Sequence, residues 1–321
     1  YGIISNNGRY AVIKRKFGNL GWDVSAIGLG TWNIGNQWGN IEESTALETV
    51  DAALDNGINI VDTAESYGIP SGLSEERLGR ALAGRRHNVV LVSKIGHWGK
   101  RTGQGVLKTT VDMIRLCADA SLHRLRTDWH DVLLCHESDI EDPSVYLEAF
   151  EYLVEKGSLR AYGISTNDLR VLKRFNKDRT CSVVQVDYSL LNREPEKEFL
   201  TYCEGEGIAV MVRGPLARGL LSGKYHADSN FADDVRKGFN RGGDGREEYE
   251  RMIHEVDQIK EITPAGEPMV TTALRYVISH SCEPVAIPGA KSAEQAEINA
   301  HAGSQILNDI ELDKLKGSRF G

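Results

Sequence analysis

Four side chains able to hold or move a proton lie where three successive apolar runs stop. Asp62 follows Ile58-Asn-Ile-Val61, with Tyr67 five residues on; Lys94 ends Val89-Val-Leu-Val-Ser-Lys94; His136 ends Val132-Leu-Leu-Cys-His136. A parallel α/β fold places its chemistry at the carboxyl ends of its strands, so neighbouring strand ends would bring these groups into one pocket. Free tyrosine titrates near ~10 and a close ammonium favours the phenolate, so Lys94 is expected to lower Tyr67 toward working pH. Asp62 would hold and polarise Lys94, and His136 would hydrogen-bond a substrate oxygen. None of the four is a good nucleophile. The set suits protonating a carbonyl oxygen while something else delivers a hydride. Singly, each has an ordinary structural use as a cap, a snorkelling amine, a packed ring or a satisfied core histidine. Their joint occurrence carries the reading.

Elements that could position such a set recur along the chain. Short runs rich in β-branched residues occur at 25–29, 58–61, 89–92, 131–135, 159–164, 183–186, 208–212 and 285–287. Most are continuously apolar, as strands buried on both faces should be. Helical periodicity falls between them at 42–56, 75–85, about 105–124, 142–156, 168–176, 194–206, 246–262, 268–281 and 292–302. Gly57 and Gly157 supply C-caps, Asp142-Pro143 a start, and Ser74 an N-cap with Glu75 and Glu76 in the first turn. Strand and helix alternating nearly one to one means right-handed βα units and a parallel sheet, and eight units in about 290 residues predict one closed (β/α)8 TIM barrel. Residues 14–321 form that domain, entered through a short N-terminal hairpin, and residues 1–13 form a flexible leader. A doubly wound sheet would need a dinucleotide fingerprint at Gly28-Leu-Gly-Thr-Trp-Asn33, but Asn33 replaces the third glycine and the next helix starts only near 42. Tyr225–Gly245 is the longest irregular piece and has the polarity of a surface or lid loop.

Composition narrows the class. The 321 residues are 40% hydrophobic and 26% charged, with formal charge -8, so the chain can bury a large core and offers no basic block for nucleic acid. No apolar run approaches the roughly 20 residues of a membrane span, and the amino terminus has no secretory signal, which predicts a cytoplasmic protein. Cys117, Cys135, Cys181, Cys203 and Cys282 lack C-x-x-C pairing and read as reduced core thiols. His136-Glu137 and Asp139 raise metal-dependent hydrolysis as a rival, but no His-x-His or other strand-end histidine supports it, and no metal is expected. A serine hydrolase would need Gly-x-Ser-x-Gly, which does not occur.

The motifs resemble the aldo-keto reductase family. Gly57-(x)4-Asp62-Thr-Ala-(x)2-Tyr67-Gly68 is similar to its first signature, Ser93-Lys94 to its lysine strand, and His136 with Asp139 to its histidine strand. The likeness continues through Gly163-Ile-Ser-Thr-Asn167, Gln185-Val-Asp-Tyr188, Pro215-Leu-Ala-Arg-Gly-Leu-Leu-Ser-Gly-Lys224 and Ile287-Pro-Gly-Ala-Lys-Ser-Ala-Glu-Gln-Ala-Glu-Ile-Asn299.

The resemblance implies a nicotinamide-dependent carbonyl reductase acting on a small aldehyde, ketone or aldose, with Tyr67 as acid/base, Lys94 and Asp62 tuning it, and His136 orienting substrate. It assigns Ser165 and Gln185 to the nicotinamide carboxamide. Pro215, Leu216, Arg218, Gly219, Ser222 and Lys224 fall to a C-terminal loop over the pyrophosphate. Gly289, Lys291, Gln295 and Asn299 fall to the adenosine end. Gly30, Thr31 and Trp32 in the first loop, and Arg213 where many relatives stack an aromatic ring, complete the cofactor set. Lys291 and Ser292 near a helix N-terminus suit a 2′-phosphate, so NADP(H) is preferred over NAD(H). Gln295 and Ile298 depart from strongly NADP-selective members. Trp32, Trp38 and Trp98, with Tyr188, would wall the substrate pocket, and Arg218 and Arg241 would reach phosphate groups. A homo-oligomer is open, and a cofactor-binding regulatory protein, as in potassium-channel beta subunits, is the non-enzyme alternative.

Overall fold

The computed structural model describes residues 11–96, 106 and 108–317. Alternation within each strand sorts side chains onto two faces of a curled sheet. A hairpin of β1 (Lys14–Lys16) and β2 (Asp23–Ser25) precedes β3 (Leu29–Gly30), β4 (Ile60–Asp62), β5 (Val90–Ile95), β6 (His130–Cys135), β7 (Leu159–Ser165), β8 (Val183–Asp187), β9 (Ala209–Arg213) and β10 (Val285–Ala286). Strands β3 to β10 pair in parallel, each with its neighbour in sequence. The ring closes where Gly28 N–H donates to Ala286 O at 2.8 Å, Ala286 N–H to Ala26 O at 3.1 Å and Gly30 N–H to Pro288 O at 3.0 Å. This is the (β/α)8 barrel.

Inward residues Ile60, Val92, Val132, Leu134, Val183 and Met211 pack with Phe17 and Val24 of the hairpin, and Leu20 and Trp22 flank them. The hairpin thereby floors the barrel. Outward residues such as Val61, Leu91, Leu133, Ile164 and Val184 join the larger shell under the helices, and each such fully buried side chain contributes about 1.5–3 kcal/mol. One inward step above the apolar layer, the same strands or the residue just beyond them present Asp62, Lys94, His136, Ser165, Gln185 and Arg213. Two-residue periodicity is what stacks this polar layer on the apolar one.

The helices are α1 (Glu43–Asp55), α2 (Leu73–Ala81), α3 (Val111–Leu125), α4 (Ser144–Glu155), α5 (Leu169–Phe175), α6 (Phe199–Glu206), α7 (Arg246–Ile262), α8 (Met269–Ile278), α9 (Ala293–Ala302) and α10 (Asp309–Gly317). In α1, Ala46, Val50 and Ala53 make the buried face, and Gly57 with φ 90° takes the left-handed conformation that ends it.

Several details differ from the sequence expectation. Residues 23–25 pair with β1, leaving the first barrel strand only Leu29–Gly30. Val12 is buried and Ile13 N–H donates to Gly303 O at 2.8 Å, so this part of the expected leader packs on the barrel. The stretch expected as one helix over 194–206 splits: Pro195 sits in a single 3-10 turn, Glu194–Glu196, whose Glu196 accepts hydrogen bonds from Tyr188 and Tyr276. Those bonds fix the turn apart from α6. Helix α2 is capped at Gly72, not at Ser74. Ser74 Oγ instead donates to the Thr31 carbonyl at 2.8 Å, and Glu75 is fully buried. The loop at 225–245 carries a small aromatic core, in which Phe231 and Phe239 are buried and pack with Tyr225 and Tyr249.

All five cysteines are unpaired thiols. Burial pushes Cys117 up to about 11 and Cys181 up to about 12. Among the described residues no helix is long and apolar enough to cross a membrane, and no three His, Cys, Asp or Glu side chains group as a metal site.

Candidate active site

The loop carrying Tyr67 is held against the loop after β3. Gly68 N–H donates to Gln37 Oε1 and Ile69 N–H to Gly35 O, each at 2.8 Å. A Cβ at Gly35 would lie 2.8 Å from the Gly68 Cα, so only glycine lets these loops approach.

Beneath Tyr67, Lys94 is fully buried and uses all three of its protons. They go to Asp62 Oδ2 at 2.7 Å, Thr63 O at 2.7 Å and Tyr67 Oη at 3.1 Å. The other oxygen of Asp62 accepts from Gln185 Nε2 at 2.8 Å, across the barrel from β8. The Tyr67 ring stacks on Trp32 at 5.7 Å and takes His136 at its edge at 6.1 Å. The structure thus gathers the four groups that end β4, β5 and β6.

Burial alone would pull the Lys94 ammonium down, but Asp62 and Tyr67 outweigh it and the net shift is upward. Burial also pushes the Asp62 carboxyl up, against Lys94 and Gln185. With a cation held 2.7 Å away, the charged pair is the form the geometry favours. Tyr67 differs from the expectation. Its removal from water outweighs the pull of Lys94, and the phenol is raised above its usual range. The free site therefore holds a neutral phenol, a proton donor, with a cation ready to stabilise the phenolate it leaves.

Tyr67, Asp62 and His136 border a cleft of about 1040 Å³, which is also lined by Gly30, Trp32, Trp38, Ser165, Gln185, Arg213, Pro215, Leu216, Arg218, Gly219, Ser222, Lys224, Gly289, Lys291, Gln295 and Asn299. Thr31 is turned away: it is fully buried, and its hydroxyl donates to Asp62 O at 2.8 Å. Tyr188 is also buried, bonded to Glu196 at 2.8 Å, and does not wall the pocket. Arg241 pairs with Asp228 on the surface. Trp98 lies outside the described residues.

The far half of the cleft fits a dinucleotide. Ser165 and Gln185 are register partners on β7 and β8, and Gln185 Oε1 is buried with no partner among the described residues, an acceptor placed for a carboxamide N–H. Five cations, Arg213, Arg218, Lys224, Arg236 and Lys291, border it in a chain of net charge -8. Ala217, Arg218 and Gly219 run through three successive positive φ values, 46°, 56° and 88°, a costly backbone that concentrates where a ligand is clamped. Arg213 is tied to Asp187 and Asn167, each at 3.0 Å. Lys291 Nζ donates to Trp38 O at 2.6 Å, and its N–H to Gln295 Oε1 at 2.9 Å.

Sequence reasoning missed Gln37, Ser71, Ser138 and Arg236. The first three are uncharged polar residues in loops without periodicity. Arg236 packs beside Trp38, Phe231 and Tyr225; the aromatic spacing of the 225–245 loop was its one available signal.

The family model described as the aldo/keto reductase family matches residues 26–319. The aldo-keto reductase YhdN of Bacillus subtilis is 32% identical over 300 residues, covering 90% of this chain and 88% of that one. The NADH-specific methylglyoxal reductase of Escherichia coli is 28% identical, covering 94% and 97%. Among solved structures, the holo form of aldo-keto reductase AKR11C1 from Bacillus halodurans superposes with a TM-score of 0.80 at 30% identity, covering 95% and 96%. An aldo/keto reductase from Klebsiella pneumoniae in complex with NADP and acetate gives 0.70 at 31% identity, covering 95% and 94%. With the fold, the gathered tetrad and these matches together, the chain belongs to the aldo-keto reductase family and is an NAD(P)-dependent oxidoreductase.

Proposed function

We propose that this enzyme reduces the carbonyl of a small aldehyde, ketone or aldose to the alcohol, or runs the reverse, with Tyr67 as general acid/base and NADP(H) preferred over NAD(H). The observation that carries the reading is Lys94 Nζ, bridging Asp62 at 2.7 Å and Tyr67 Oη at 3.1 Å. When bound, the nicotinamide cofactor supplies the hydride. Tyr67 Oη gives its proton to the carbonyl oxygen, and the Lys94 ammonium stabilises the phenolate left behind. Asp62, held by Gln185, keeps that ammonium charged and aimed. His136, at the edge of the Tyr67 ring, orients the carbonyl. In the reverse direction the phenolate takes the alcohol proton.

Gln185 and Ser165 are the donors and acceptors for the carboxamide, and the loop from Pro215 to Lys224 covers the phosphates. Support for a 2′-phosphate comes from Lys291 with Ser292 at the N-terminus of α9, where a cation stands at the positive end of the helix dipole.

The test of the mechanism is Tyr67→Phe. It should retain NADPH binding by fluorescence titration and lose carbonyl reduction by about 10²–10⁴-fold; undiminished turnover would overturn the acid/base role. For the cofactor, Lys291→Ala should weaken NADPH roughly tenfold more than NADH, the scale of one charged hydrogen bond. Equal weakening would remove the 2′-phosphate assignment.

A further inference from the structure

One backbone carbonyl joins the two ends of the cleft. Lys291, just before α9, donates from Nζ to Trp38 O at 2.6 Å. The next residue in that loop, Gly39, takes φ 95°, a left-handed turn that suits glycine, and a Cβ there would lie 3.5 Å from the same ammonium. Arg236 reaches Trp38 from the 225–245 loop: its guanidinium lies 5.4 Å from the ring centroid and is held by Asp233 at 2.7 Å. The base of the loop is fixed separately by Arg77 of α2, which donates to Asn36 Oδ1 and to Ile41 O, each at 3.0 Å. Trp38 meets Trp32 edge-on at 5.1 Å, and Trp32 lies on the Tyr67 ring at 5.7 Å. A continuous path of contacts therefore runs from two cations of the cofactor half to the phenol.

We propose that Lys291 is a positioning residue for the carbonyl substrate, acting through Trp38 on the Trp32–Tyr67 stack, with Arg236 as a second support. This rests on the carbonyl-reductase reading of the same site, and it is separate from any bond Lys291 makes to a cofactor. An ammonium has three protons. One held by the Trp38 carbonyl leaves two for a phosphate, so a single side chain can serve both ends of the cleft. Its removal frees that carbonyl, and the indole pair beside Tyr67 loses its fixed placement. A wall that must be ordered on binding lowers affinity for what it contacts. The bonds of Lys94 to Asp62 and Tyr67 are untouched, so the loss falls on KM more than on kcat.

The test uses saturating NADH, which has no 2′-phosphate for Lys291 to hold, with 4-nitrobenzaldehyde and glyceraldehyde as carbonyls. Lys291→Ala should raise the carbonyl KM about tenfold, the scale of one charged hydrogen bond, with kcat within about threefold. Lys291→Arg keeps a charged donor and should restore most of the loss. In a Trp38→Leu background, Lys291→Ala should add less than about twofold, because the relay is already cut. The far-ultraviolet circular dichroism couplet of the paired indoles, defined by its loss in Trp38→Leu, should weaken in Lys291→Ala without any cofactor added. An unchanged couplet, a carbonyl KM that Lys291→Ala does not move, or an equal rise in the Trp38→Leu background overturns the positioning role. NADPH weakened more than NADH in that case leaves the cofactor assignment standing. Turnover of neither carbonyl by the unaltered enzyme overturns the reductase reading and this role together.

Discussion

Ser93 and Lys94 are neighbours on β5 that point to opposite sides of the barrel wall, and each meets a buried carboxylate. On the outer side Glu75 Oε1 accepts from Ser93 Oγ at 2.7 Å and Ser121 Oγ at 2.6 Å, while Glu75 Oε2 accepts from Arg124 Nε at 2.6 Å. Ser121 Oγ lies 2.9 Å from His130 Nε2. On the inner side Asp62 is held by Lys94 and Gln185. Both carboxylates are at most 2% exposed and both pair with a cation. Only the inner network ends in a group that borders the cleft, Tyr67. Burial and ion pairing are therefore common to a structural and a reactive network, and access to the cleft separates them.

Breaking each network should give opposite phenotypes. Lys94→Met should lower carbonyl turnover by about 10²–10⁴-fold. It should also move the alkaline limb of alcohol oxidation to higher pH, because oxidation needs the phenolate and the ammonium that favours it is gone. A pH-rate profile checks this, and an unmoved limb would uncouple Lys94 from Tyr67. Glu75→Ala should cost about 3–5 kcal/mol of stability by removing the buried carboxylate that Ser93, Ser121 and Arg124 share, with turnover of the folded enzyme within a few-fold at low temperature. Urea titration beside a kinetic assay separates the two, and a large turnover loss without destabilisation would merge the networks.

The smallest effect belongs to His130, which burial, then Arg86, pushes down to about 3. Unfolded histidine titrates near ~6.5, so between those values the unfolded chain binds a proton that the folded one refuses. Stability from the neutral ring is full above about 6.5 and is lost as pH falls toward 3, by up to about 1.4 kcal/mol per unit. His130→Gln should flatten that slope in denaturation measured at pH 7 and pH 5.

The inner network was legible in sequence because strand periodicity is rigid. An apolar run that stops at Asp62, Lys94 or His136 fixes which way the last side chain points, and Gln185 follows the same parity on β8. The outer network was not legible, since Glu75 is buried outside the barrel wall by the packing of α2 against its neighbours, which the spacing of one helix does not give. The direction of the Tyr67 shift was also out of reach. An ammonium nearby can be guessed from spacing, whereas the loss of water around the phenol depends on Trp32 and the loop of Gly35 and Gln37 closing over it. Loop residues such as Ser71 and Arg236 have no period to betray them, and the run at 25–29 was read as one barrel strand although its first residue, Ser25, belongs to the floor hairpin, because alternation alone does not say which sheet a strand joins.

The hairpin floor has a consequence for proton traffic. Phe17, Val24, Ile60, Val92 and Val132 fill the barrel below the tetrad with apolar side chains buried to 1% exposure or less, a layer that offers a proton relay no hydroxyl or carboxyl group. The proton that Tyr67 gives up must then return from above, through the same mouth that the product occupies. Recharging the phenol waits on departure of the alcohol, so in deuterated water a slowing should appear in the recovery step after release as well as in the step where Tyr67 gives its proton; a recovery step that is not slowed, or that precedes release, would mean a second route through the wall.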